Sequence, residues 1–191
     1  MADRHERALA CHDFVACRQD FKKLNPPWAQ QTFKDHPQQW GLQRTRYPPH
    51  LPFAGGGTLG LKRSVHDSVG GFDESWRVLE DKEYCLRVHL TGTELHFVPD
   101  AVIHCRCRTT LGGLFDQARS FADQDLRLYR LYRPHGEKRS RPWGRYVREW
   151  DTLLRNVSEL RSQGMRPSWV WQFGWQVGRL QGSLKHFVPP V

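Results

Sequence analysis

Hydrophobic residues return every three or four positions in three long stretches of the chain, and bunch or alternate in several short ones. Leu111, Leu114, Phe115, Ala118, Phe121 and Ala122 keep helical spacing, and the helix is expected to continue through Tyr129 and Tyr132. Trp143, Tyr146, Trp150, Leu153, Val157 and Leu160 alternate steps of three and four, which predicts an amphipathic helix. A last helix is expected from about Ser168, where Gly174, Gly178 and Gly182 give a smooth face for close packing. Residues 12–18 (HDFVACR), 58–61, 94–98 and 101–105 read as strands, the last two broken apart by Pro99-Asp100. A short helix is expected from the start through Ala10, and Ser64 is placed to cap another through Val69, closed by Gly70-Gly71. From Leu24 to Pro52 the chain is rich in Pro, Gln and Trp, with Pro26-Pro27 and Pro48-Pro49 as breakers, so it should be largely irregular.

One stretch combines pattern with chemistry. Residues 79–90 (LEDKEYCLRVHL) read as a helix opened by two adjacent acids. Tyr84, Cys85 and Val88 share a face, and one turn back from them lies Asp81 rather than Glu80. Glu83 and Arg87 are four apart with the acid first, the favourable order for a surface pair. Asp81 should therefore sit at the inward edge of the helix N-terminus, where free N–H groups and the macrodipole favour a carboxylate. Such an acid can be a cap, a metal ligand or a general base.

Composition narrows the company the chain keeps. Its 191 residues suit one core, or one domain with an appendage. A formal charge of +9 points to nucleotides, nucleic acid or an acidic membrane face. No nucleic-acid motif accompanies the basic stretch of Arg130, Arg133, Lys138, Arg139, Arg141, Arg145 and Arg148, so a solvated basic face is the expectation, with an anionic membrane surface second. The cysteines number five, the first residues alternate charge without an apolar core, and no run is long enough to span a bilayer. A reduced, cytoplasmic chain is expected. Cys85-x3-His89 and His104-Cys105-x-Cys107 lack the paired spacing of structural zinc sites.

The ordered set Gly56-Gly57, Gly70 through Glu74, Glu80-Asp81, Val98-Pro99-Asp100 and His104 resembles the acceptor-side half of family 2 glycosyltransferases with the GT-A fold. The match covers roughly residues 53 to 133. It implies an α/β fold, a partial Rossmann-like mixed sheet with flanking helices, plus a C-terminal helical region. The corresponding division is a catalytic region over 1–133, a basic linker over 134–142 and helices over 143–191.

The resemblance also implies transfer of a sugar from a nucleotide-sugar donor to an acceptor hydroxyl, with a divalent cation (Mg²⁺ or Mn²⁺) at the leaving diphosphate. Asp81 becomes the base, Glu80 its neighbour and His104 a metal or diphosphate contact. Gly56 and Gly57, Arg106, Arg108 and Arg119 become candidate substrate contacts. The glycine triplet can equally be a plain turn, and His104 a structural histidine. Trp76 can stack on a sugar or lie in the core.

The family's donor half, with its Asp-x-Asp metal motif, has no room upstream of Gly55. Asp123-Gln124-Asp125 falls in an expected helix, where residues two apart face roughly 200° round the axis and cannot close on one metal. The expectation is thus an acceptor-side half completed by a donor-half partner or covered by dimerisation, for glycan or glycolipid assembly at the cytoplasmic membrane face. The rival reading is an inactive remnant that serves as a binding or assembly module.

Overall fold

A computed structural model describes residues 2–133 and 142–191. The chain is mixed α/β, with twelve elements of regular structure among the described residues: α1 (Ala2–Cys11), β1 (Phe14–Asp20), α2 (Pro27–Thr32), β2 (Gln43–Arg44), β3 (Pro52–Phe53), β4 (Leu59–Leu61), α3 (Arg63–Ser68), α4 (Glu80–Leu90), β5 (Leu95–His104), α5 (Leu111–Tyr132), α6 (Pro142–Arg155) and α7 (Arg166–His186). By contact it divides into two compact units. The first holds residues 1–24, 35–46 and 50–106, and the second holds 25–34, 47–49 and 107–191. The basic linker expected over 134–142 lies, up to Arg141, outside the described residues.

The first unit is built on a three-stranded mixed sheet in the order β4-β1-β5. β1 is antiparallel to β4 and parallel to β5. Phe14 and Ala16 of β1 meet Tyr84, Cys85 and Val88 of α4, with Ala54, Val65 and Leu95 completing the core. Val15 and Cys17, which point to the other face of the strand, are equally buried. This explains why the strand reads as a run of apolar residues rather than an alternation.

β5 is one strand, not two. Proline at position 99 cannot donate to the ladder, and the chain absorbs it as a bulge instead of stopping. Cys17 stands opposite Val98 but Arg18 stands opposite Val102, so Pro99, Asp100 and Ala101 are looped out of register. Arg4 bonds the carbonyl of Asp100 there. Without the bulge the ladder would bring Ala101 to Asp20; with it, His104 takes that place.

The segment 24–52 is largely irregular, as expected, but Pro27 and Pro37 occupy first-turn positions and start α2 and a 3₁₀ turn, where a missing N–H costs nothing. Two other local expectations are corrected. Ser64 does not cap α3: the N-cap is Lys62, with no side-chain bond, and Ser64 lies inside the helix. Glu83 and Arg87 do pair, at 2.9 and 3.0 Å, but not on the surface. Glu83 is 5 % exposed, and Arg87 also bonds the carbonyl of Val69, so the pair ties α4 to the end of α3.

In the second unit α5 and α7 pack closely along the three glycines. A Cβ at Gly174 would lie 2.6 Å from the Phe115 carbonyl oxygen, and one at Gly182 would lie 2.9 Å from that of Asp123. Only glycine admits this approach. α6 leans on α7 through Tyr146, whose hydroxyl donates to the Gln176 carbonyl (3.1 Å), and through the Trp169 indole N–H on the Leu153 carbonyl (2.9 Å). The guanidinium of Arg179, 1 % exposed, bonds Glu149, Gln176 and the Pro190 carbonyl. Half of the α6 apolar face stays exposed at Trp143, Val147 and Leu154. No helix among the described residues is long and apolar enough to cross a membrane.

Candidate functional site

The glycine turn and the N-terminus of α4 meet through one carboxylate. Asp81 stands in the first turn of α4, and its Oδ2 accepts the Gly56 N–H at 2.8 Å. Its Oδ1 accepts the Lys82 N–H at 2.7 Å, doing inside the turn what a cap residue would do from outside. The residue in the cap position, Leu79, has φ +60, a left-handed conformation that costs a leucine about 1 kcal/mol. That turn of the backbone aims the helix start at the glycines. Burial raises the Asp81 carboxyl above the ordinary aspartate range; the N–H groups of Gly56 and Lys82 pull it back, and Glu80 next to it raises it again. Glu80 itself is exposed.

The glycines are held from behind. Gln38 is fully buried and donates to the Cys17 carbonyl (3.1 Å) and to Thr58 Oγ1 (2.7 Å). Its Oε1 accepts from Gly55 N–H (3.0 Å) and Gln43 Nε2 (2.9 Å). A Cβ at Gly55 would meet Gln19 Nε2 at 2.7 Å, and one at Gly56 would meet Asp81 Cβ at 3.3 Å. Glycine here is a matter of space around the carboxylate. Gly57 has open space around it.

A second constellation stands at the carboxyl end of the parallel pair β1 and β5. His104 Nδ1 lies 2.7 Å from Asp20 Oδ2. Burial alone would raise the Asp20 carboxyl, but His104 and the N–H groups of Lys22 and Lys23 together bring it below the ordinary range. Asp20 was not a candidate from sequence, because the strand was read as ending at Arg18. The signal that could have found it is its position at a strand terminus three residues beyond an apolar run.

The other candidates are spread out. Trp76 is 5 % exposed and belongs to the core, so little of its ring is open to a sugar. Arg106 is exposed in the first unit. Arg108 and Arg119 lie in the second unit, Arg119 bonding Gln181 (3.2 Å) and Asp116 (3.5 Å). Asp123 of the literal Asp-x-Asp pairs with Lys185 (3.3 Å), and Asp125 is buried. Cys85 is buried, which pushes its thiol up to about 12. Among the described residues no three His, Cys, Asp or Glu side chains gather as a metal site. His104 can offer one ligand, Nε2, so a divalent cation would need its remaining ligands from elsewhere.

The two aspartates should respond to acid in opposite ways. Asp20, whose carboxyl is lowered, contributes stability above the ordinary aspartate value of 3.8 and loses it as pH falls through the folded value. Asp81, whose carboxyl is raised, favours the fold when protonated and costs stability as pH rises through its folded value. Asp20→Asn should therefore lower the melting temperature at neutral pH by roughly 2–6 °C, the deficit shrinking below pH 3.8. Asp81→Asn should gain on the wild type as pH rises above 3.8. Thermal scans from pH 3 to 8 on the three proteins check both signs. Comparison with protein-family models, with curated proteins and with solved structures found no match.

Proposed function

We propose that this chain supplies the acceptor side of a nucleotide-sugar-dependent glycosyltransferase of the GT-A, family 2 type, with Asp81 as the general base. The observation that carries the reading is the Asp81 carboxylate. It is seated at a helix start against the Gly55-Gly56 turn, and burial raises its affinity for a proton. A carboxylate so placed is a better base than one in water. In this mechanism Asp81 takes the proton of an acceptor hydroxyl as the oxygen attacks the sugar carbon, while the Gly56 N–H fixes the direction of the carboxylate. Glu80 adds negative charge beside the base. A divalent cation, when bound, supplies charge neutralisation at the leaving diphosphate, with His104 as this chain's contribution. The donor-binding residues come, on this proposal, from a longer chain or a partner, and the assembly works at the cytoplasmic face of a membrane.

Both oxygens of Asp81 also hold backbone N–H groups, which favours a second reading. In it Asp81 is only a brace between the glycine turn and α4, and the chain is a binding or assembly module.

Two measurements separate them. Calorimetric titration with UDP, GDP and dTDP sugars, with and without Mn²⁺, should show metal-dependent binding in the completed assembly. Asp81→Asn should lower transfer by about 10²–10⁴-fold with the fold intact. Undiminished transfer by that variant would leave only the brace.

A further inference from the structure

We infer that Asp20 is a positioning residue for His104: its carboxylate fixes the imidazole as the Nδ1–H tautomer and turns the Nε2 lone pair outward as an acceptor. The carboxylate is held by backbone as well as by the histidine. As the chain turns out of β1, the N–H of Lys22 donates to Oδ1 (3.2 Å) and that of Lys23 to Oδ2 (3.4 Å). The Cys105 N–H closes on the Asp20 carbonyl (2.9 Å), pinning the end of β5 alongside. The Asp20 side chain is 20 % exposed and that of His104 39 %. The acid is thus sunk behind the ring while the ring keeps an open edge. An anionic carboxylate can only accept, so the 2.7 Å contact requires the proton on Nδ1 and, in the neutral ring, leaves Nε2 bare. The bulge in β5 serves the same end, since it alone brings position 104 opposite position 20.

A neutral imidazole backed by a carboxylate is a more basic, better oriented ligand than a free one. The site at Nε2 would therefore take a Lewis-acidic partner, a divalent cation, or the hydroxyl proton of a bound ligand. As a part of glycosyl transfer this deepens the function proposed above and rests on it. The tautomer does not, so the two can fail separately.

The test is long-range ¹H–¹⁵N correlation of the histidine rings in the full chain at a pH of about 9, above the ordinary imidazole range. His104, assigned by its loss in His104→Gln, should show a protonated Nδ1 and a bare Nε2. In Asp20→Ala that pattern should be lost, with the Nε2–H form appearing. Asp20→Glu, which returns a carboxylate, should restore part of it. A wild-type His104 carrying its proton on Nε2, or an Asp20→Ala spectrum unchanged from wild type, overturns the inference. Should Asp20→Ala fail to fold, the wild-type tautomer and Asp20→Glu still decide it.

Discussion

Valine in place of Gly178 should unfold or separate the helix pair of the second unit, at a cost of about 3 kcal/mol or more. A Cβ at that position would stand 2.1 Å from the Arg119 carbonyl oxygen and 2.8 Å from the Ala122 Cβ. The first contact is with backbone, which no rotamer change can move. α5 and α7 would have to part, and Gly174 and Gly182 could not then keep their own close approaches. The small residues across the seam, Ala118 and Ala122, are fully buried and offer no slack. Gly144 of α6 is the control, since nothing lies within 4 Å of a Cβ added there. Gly144→Ala should be neutral or stabilise by up to about 1 kcal/mol, through helix propensity alone. Denaturant unfolding followed by tryptophan fluorescence distinguishes the two. Wild-type stability for Gly178→Val would contradict the close packing.

Gln38→Leu should be the most damaging change near the candidate site, although Gln38 touches neither Asp81 nor any proposed substrate. Leucine matches its volume roughly, so the effect isolates the four hydrogen bonds. Losing them strands the Gly55 N–H, the Cys17 carbonyl and Gln43 Nε2 without this partner. Orphaned groups at about 1–3 kcal/mol each, partly relieved by water at the looser end, give a loss of roughly 3–5 kcal/mol. The Gly55 and Gly56 amides should exchange with solvent faster, and Asp81 should lose the N–H that directs Oδ2. Hydrogen exchange at those two amides is the check. Unchanged protection would show that the glycine turn holds itself.

These effects mark out what was readable in the sequence. α4 and the inward placing of Asp81 were legible, because helix period fixes which residues share a face. The glycine seam of α7 was legible for the same reason. Gln38 and Asp20 were not, because each acts across the fold: Gln38 on Gly55, and Asp20 on a histidine 84 positions away. Glu83 was read as a surface partner because charge suggests exposure, yet Arg87 neutralises it well enough for burial. Pro27 reads as a breaker in the sequence because its position within the turn, which makes it a start, is set only by the fold.

The three residues looped out of β5 work as a spacer whose length matters more than its composition. Pro99 and Asp100 are exposed and have no ladder partner, so many side chains would serve there. Removing or adding one residue is another matter. It would rotate the end of the strand by one step, carry His104 to the opposite face of the sheet and present a neighbour to Asp20. Among homologous chains, positions 99 and 100 should therefore drift freely in identity, while position 101, which is 1 % exposed, stays small and insertions and deletions are confined to the turns on either side.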